Sequence, residues 1–316
     1  MEPTQSGTRP VRVALAANLG IFVVKAVSAW LTGSAVLFSE TLHSLADSTN
    51  SIFLMTGLYL ASRPPDREHP FGYGKEVFFW SFVAAMFMLG VISVSSIYRG
   101  YEQIVNTQDI KHIEFAIASL VAAAALECVA VAYAVQGLTK CASETTGVRM
   151  RNPFKAFFNV HEPTLKLIFV EDFTALLGVC IALGAIAAVH GSGLNYIDGY
   201  AAVVIGLTLG VFAIFLAREN REKLIGSAAD EGTEKRIAAL AKMEQGIRDV
   251  LSVKTMFMGA NRIIVHLWVE LDPDIPLERL DDLMMKVETR IKRNIPGVID
   301  CFIEPVADMD ELRDEV

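Results

Sequence analysis

The chain has 316 residues, 53% of them hydrophobic, with a mean hydropathy of +0.40 and a formal net charge of −8 at pH 7. That apolarity excludes an ordinary soluble enzyme, and an acidic balance without a basic stripe interleaved with aromatics excludes nucleic acid as a partner. Charge is unevenly placed, with 36 of the 64 Asp, Glu, Lys and Arg residues lying from Arg218 onward, so an apolar region precedes a charged one.

In chain order, the polar stretch "MEPTQSGTRPVR" has no cleavage motif after the first apolar run, which is therefore expected to stay as a membrane helix. A crossing helix needs about 20 mostly apolar residues. Six segments qualify: 13–31, 35–62, 77–97, 115–138, 164–189 and 200–217. The predicted fold is an α-helical membrane protein with six transmembrane helices. The predicted division is an N-terminal cytoplasmic tail (1–12), a transmembrane domain (13–217) and a cytoplasmic C-terminal domain (218–316). Arg9, Arg12, Arg63, Arg67, Lys75, Lys140, Arg149, Arg151, Lys155, Lys166, Arg218, Arg221 and Lys223 fall on one side of the membrane, against Arg99 and Lys111 on the other. This asymmetry puts both termini in the cytoplasm. A multi-pass protein of the cell (inner) membrane is expected.

The charged region reads as a small α+β unit. "TEKRIAALAKME" has helical periodicity, and "SVKTMFM" and "RIIVHLWVEL" alternate as strands about a turn at "GAN". "PLERLDDLMMKVETRIKRNI" is a second helix with Pro276 in its first turn, and "GVIDCFIEP" a closing strand. The order suits a ferredoxin-like module with its helices on one side of the sheet. The cysteines, Cys128, Cys141, Cys180 and Cys301, form no CxxC pair and suggest neither disulfide nor zinc ribbon.

The second span carries "SETLHSLADSTN". At 100° per residue, Glu40 lies about 60° and Asp47 about 40° from His43, with Asn50 about 20° to the other side. The fifth span starts at Pro163 in "HEPTLK", which puts Asp172 roughly 14 Å along the axis, near mid-membrane. Ile168, Glu171, Asp172 and Ala175 share one face there. Ionisable groups at that depth cost about 2.5–3.5 kcal/mol each and mark a cavity or a partner. The two stripes hold acids and an imidazole without a fixed cation, so a divalent metal accounts for them better than mutual salt bridges. A lone polar residue in a span is often only an interhelical hydrogen-bond partner, and Glu40 fits either role. Lys25 either neutralises an acid of the stripes or snorkels, and Glu127 is either a proton relay or a packed acid; a structural role is favoured for both.

"GSAVLFSETLHSLADS", "RPPDREHPFGYGKE" and the six spans with an α+β tail together resemble the cation diffusion facilitator family, the zinc-transporter-type metal/proton antiporters. The resemblance implies a homodimer whose tails pair in the cytosol. It also implies a transport site with a four-spaced pair on each of the second and fifth spans. His43 and Asp47 match the first pair and Asp172 half of the second, where Ile168 stands in place of a ligand. "FVEDFTALLG" resembles the branch that includes the mitochondrial zinc transporter, and makes Glu171 the substitute ligand. The family's second metal site, in the loop after the second span, is matched by Asp66 and His69 but has Tyr73 for its second histidine. In the tail, His266, Asp281 and Cys301 are the usable ligands, with His266 read as a residue of the sheet face.

The expected function is a secondary carrier that exports a divalent cation, Zn²⁺ first, in exchange for protons, within the lipid bilayer. His43 and Asp47 would couple metal to protons, because metal binding needs ionised carboxylate and neutral imidazole. Fe²⁺, Mn²⁺ or Co²⁺ export, or a membrane metal sensor without flux, are the alternatives. No GxxxxGK[ST] loop and no HExxH is present, so neither direct ATP drive nor enzymatic activity is expected, and no cofactor beyond the metal cargo.

Overall fold

The computed structural model describes residues 8–146, 152, 155–157, 163–273 and 275–306. Its apolar region contains α1 (Thr8–Thr32), α2 (Ala35–Ala61), α3 (Glu76–Phe87), α4 (Val94–Val105), α5 (Ile113–Thr146), α6 (Pro163–Ser192) and α7 (Tyr196–Ile225). A π-helical segment, Met88–Ser93, joins α3 to α4, so the third predicted span is one run with a wider turn inside it. The helices outlast the apolar stretches because hydrogen bonding continues where hydropathy has already fallen. Arg99–Glu102 (2.8 Å) and Lys223–Glu219 (2.8 Å) support such polar ends of α4 and α7. At the other extreme α1 already begins at Thr8, inside the predicted tail, while residues 1–7, Arg149 and Arg151 lie outside the described residues.

Among the described residues, four helical runs are long and apolar enough to cross a membrane: Glu76–Val105, Ile113–Ser143, Ile168–Ser192 and Tyr196–Ile225. α1 adds a shorter apolar stretch, Asn18–Thr32. α2 falls short because its polar residues dilute it. Its hydroxyls are satisfied within the helix, Ser39 on Ala35 O, Thr41 on Leu37 O and Ser48 on Ser44 O, at 2.8–3.1 Å.

The chain forms two compact units. One combines the residues up to Phe53 with Val83–Ala217, around a core that includes Leu37, Ile92, Leu120, Ile186, Ile205 and Leu209. Within it Ser93 donates to Gly206 O (2.8 Å), and Ser96 reaches Ser39 Oγ (2.6 Å) and Ala202 O (3.3 Å), tying α2 and α4 to α7.

The second unit combines Leu54–Phe82 with the chain from Arg218 onward. It contains α8 (Glu231–Lys242), β1 (Ile247–Gly259), β2 (Arg262–Leu271), a 3₁₀ turn (Leu277–Arg279), α9 (Leu280–Asn294) and β3 (Val298–Val306). The sheet order is β1-β2-β3, with β1 antiparallel and β3 parallel to β2. Val265, Leu267 and Val269 are buried against Ile237, Val287 and Ile291 of the two helices, which gives the expected helix-strand-strand-helix-strand layering. Two details differ from expectation. β1 starts five residues before "SVKTMFM", because irregularities at 247/249 and 250/252 break the alternation that marks a strand. Pro276 precedes the 3₁₀ turn, and the α-helix begins only at Leu280.

The loop between α2 and α3 belongs to this unit. Gly74 lies so close to the Met258 carbonyl on β1 that a Cβ there would overlap it, and Lys75 Nζ donates to Leu224 O at 3.3 Å.

Candidate metal site

α2 presents its polar stripe along buried faces because alternate turns supply the packing. His43 is buried, and its Nε2 stands 3.7 Å from Oδ1 of Asp47 one turn on, beyond hydrogen-bond distance. That Asp47 oxygen is buried without a hydrogen-bond partner. On α6, Glu171 and Asp172 are partly buried, and Asn50 of α2 hydrogen-bonds Glu171. Glu171 lies within electrostatic reach of Asp47, Asp172 and His43, and Asp47 within reach of Asp172. The structure thus brings the four predicted ligands to one region of the helix pair. It does not close them into a cage: among the described residues, no three His, Cys, Asp or Glu side chains converge closely enough to hold an ion. Ile168 is 43% exposed and turned away from the face it was expected to share.

The two stripes themselves hold no cation, but α1 brings one to them. Lys25 of α1 does not snorkel; it is buried, and its Nζ meets Glu40 Oε2 at 2.9 Å. Glu40 is fully buried, and its second oxygen, Oε1, has no hydrogen-bond partner. Gly178 of α6 makes room for it, since a Cβ there would lie 2.7 Å from Glu40 Oε1 and 3.9 Å from His43 Nδ1. Glu127 of α5, partly buried, lies within electrostatic reach of Lys25, Glu40, His43 and Asp47. A narrow cleft adjoins His43, lined by Thr174, Gly178, Thr208 and apolar neighbours.

One positioning residue was not anticipated. Asp198, at the start of α7, is fully buried and accepts from Ser34 Oγ (2.6 Å), Ala35 N (2.6 Å) and Val36 N (3.2 Å). It therefore caps α2 from another helix, satisfying first-turn amides and meeting the positive end of the helix dipole. The sequence signal was Ser34, a cap residue whose oxygen here also takes Leu37 N at 3.2 Å.

In the second unit, Asp66 is occupied by protein. Its Oδ2 accepts Tyr73 Oη at 2.6 Å, and its Oδ1 accepts the amides of His69 (2.7 Å) and Glu68 (2.9 Å). The hydrogen bond from Tyr73, then those from the backbone, hold the Asp66 carboxyl below the usual range; the same bond raises the Tyr73 phenol. The His69 ring lies against Tyr73, with centroids 4.2 Å apart. Of the tail residues, His266 stands on the open face of the sheet, 3.2 Å from Glu304 Oε2 and against Trp268. Asp281 and Cys301 line a separate groove between α9 and β3, where burial pushes the Cys301 thiol up to about 12.

An acid and imidazole set shared by two buried helix faces, ahead of an αββαβ tail, fits the match to a known family. The profile for the cation efflux transmembrane domain covers residues 11–225, and that for the cation efflux protein cytoplasmic domain covers residues 229–305. The chain belongs to the cation efflux family. It carries the family's transmembrane domain, with apolar helices, followed by the family's cytoplasmic domain. Similar proteins include metal tolerance protein C4 of Arabidopsis thaliana, 29% identical over 81% of this chain and 55% of that protein. The mitochondrial proton-coupled zinc antiporter SLC30A9 of Xenopus laevis is 27% identical over 89% of this chain and 51% of that protein. The magnetosome protein MamM of Paramagnetospirillum magneticum is 24% identical over 88% and 81%. The chain spans about half the length of the first two.

Proposed function

We propose that this cation efflux protein moves a divalent metal, Zn²⁺ first, out of the cytoplasm across the cell membrane in exchange for protons, as a homodimer with both termini inside. The observation that carries this reading is the buried, partner-free Asp47 oxygen beside His43, facing Glu171 and Asp172 on the next helix. Such an arrangement is costly in an apolar setting unless a cation or protons fill it. His43, Asp47, Asp172 and Glu171 would hold the metal, and proton return would follow from their need to be unprotonated when it binds. Similarity to a proton-coupled zinc antiporter supports protons as the counter-ion and zinc as the first metal to try. No enzymatic step is part of this reading. α1 and α2 then complete six crossings, and Asp66 and His69 play no essential part in transport.

The test is metal flux into proteoliposomes under an imposed pH gradient. Zn²⁺, Fe²⁺, Mn²⁺, Co²⁺ and Cd²⁺ are run in competition. Wild-type flux that collapses in Asp47→Ala and Asp172→Ala supports the carrier, and Glu171→Gln should weaken its affinity. Metal binding without flux would establish a sensor, and retained flux in Asp172→Ala would remove the proposed site.

A further inference from the structure

Lys25 and Glu40 stand outside the ligand set just proposed, yet they are the most deeply buried charged pair near it. A buried ion pair is rarely more stable than an apolar replacement of the same volume, because desolvation of both charges offsets their attraction. Stability alone is a weak reason for this pair. Its geometry is also incomplete. Lys25 takes only Oε2, while Oε1 is left without a partner, against the Gly178 backbone and on the His43 side of the helix crossing. A half-satisfied buried network is a poor structural device and a good place for something to arrive. Lys25 also acts electrostatically on His43, Asp47 and Glu127, so its charge is felt throughout the candidate site.

We propose that Lys25 is the resident cation of the transport site, holding Glu40 in the metal-free carrier, and that the incoming divalent metal displaces it and recruits Glu40 through Oε1. The inference rests on the site proposed above and adds a specificity residue to it. Lys25 competes with substrate for the same negative charge, which weakens metal binding and favours release. A fixed positive charge a few ångströms from a metal ion in a low-dielectric setting is a strong opponent of binding. Binding energy held back in this way allows the metal to leave on the far side.

The experiment measures Zn²⁺ affinity of the full-length protein in nanodiscs at fixed pH, by competition with a chelating fluorophore, and flux in proteoliposomes. Lys25→Met should bind Zn²⁺ at least about tenfold tighter, about 1.4 kcal/mol, and turn over more slowly. Adding Glu40→Gln to Lys25→Met should reverse that tightening. Affinity within twofold of wild type in Lys25→Met, or no loss on adding Glu40→Gln, overturns the proposal. Should Lys25→Met fail to fold, Lys25→Arg gives the opposite readout. Its guanidinium fork engages both Glu40 oxygens, so Zn²⁺ binding should weaken about tenfold in a stable protein, and unchanged affinity overturns the idea. A purely structural pair would alter thermal stability and leave these affinities alone. Asp47→Ala separates the two readings: if it leaves Zn²⁺ binding intact, the transport site itself fails. If it abolishes binding while Lys25→Met has no effect, only the role of Lys25 fails.

Discussion

Replacing Asp198 by Ala removes three hydrogen bonds, at 2.6, 2.6 and 3.2 Å, from the first turn of α2. The amides of Ala35 and Val36 are buried, so water cannot replace the carboxylate. A lost cap costs about 0.5–2 kcal/mol, and each buried donor left unpaired about 1–3 kcal/mol. Ser34 Oγ can turn to another acceptor and adds little. Counting the cap and the two donors once, as the same hydrogen bonds, gives about 2–6 kcal/mol, and the middle of that range, about 3–5 kcal/mol, is at the upper end for a single substitution. At about 2 °C per kcal/mol for a chain of this size, the melting temperature in detergent should fall by about 6–10 °C. Asp198→Asn keeps one acceptor and should fall by about half as much. Tryptophan fluorescence on heating reads the transition, since Trp30, Trp80 and Trp268 are spread along the chain. A drop below about 2 °C for Asp198→Ala would refute the claim that this residue fastens α2 to α7.

Gly178→Ala places a Cβ 2.7 Å from Glu40 Oε1, so the Glu40 carboxylate must shift. Zn²⁺ affinity should fall about tenfold or more, and unchanged affinity would show the contact to be irrelevant to the site. Asp66 is held below its ordinary value of 3.8 and Tyr73 above 10, each through the other. For Asp66 the folded value is the lower one, so its contribution is present above pH 3.8 and is lost only as pH falls through the depressed value. The Asp66–Tyr73 hydrogen bond should therefore persist between pH 5 and 9. A difference titration of tyrosinate absorbance, wild type minus Tyr73→Phe, should show a phenol ionising above pH 10; ionisation below 10 contradicts the hydrogen bond. Cys301, raised to about 12 by burial and by the charge of Glu288, should alkylate at pH 8 at least about tenfold more slowly than a free thiol. Mass spectrometry of iodoacetamide-treated protein measures it, and rapid modification at Cys301 would count against the packing of β3 on α9.

The helices were legible because length and apolarity are local properties, and the tail's layers because Val265, Leu267 and Val269 alternate with His266, Trp268 and Glu270. The candidate site was legible as a polar stripe, but its partners were not. Periodicity puts Glu40, His43 and Asp47 on one face, but only the packed structure shows that α1 brings Lys25 to Glu40. Asp198 fell before the predicted start of the sixth span, and nothing local links it to Ser34, 164 residues away. Ile168 was placed on the ligand face by a wheel that assumes one helix side meets one partner. Its exposure shows that the face turned inward is narrower, reaching Glu171 and Ala175 but not Ile168. The irregular start of β1 escaped for a related reason, since bulges erase the period of two by which strands are read.

The crossing of α2 and α6 explains why the proposed ligands fall where they do. Glu40 meets Gly178 across the interface. Seven residues further along α2 stands Asp47, and seven residues back along α6 stands Glu171; seven residues is two turns, about 10.5 Å. In an antiparallel pair these positions are level, and the electrostatic reach between Asp47 and Glu171 agrees. Asn50, one turn beyond Asp47, is then near enough to hydrogen-bond Glu171. The adjacent acids of "FVEDFTALLG" follow from the same register. Asp47 faces the first of them, so Glu171 can complete a pair with His43 and Asp47 without any ligand at Ile168, while Asp172 approaches from the adjoining face of the same turn. A histidine at position 168 would point out of this interface, as Ile168 does. The helix pair that seats Glu40 on Gly178 therefore brings Glu171, rather than Ile168, level with Asp47.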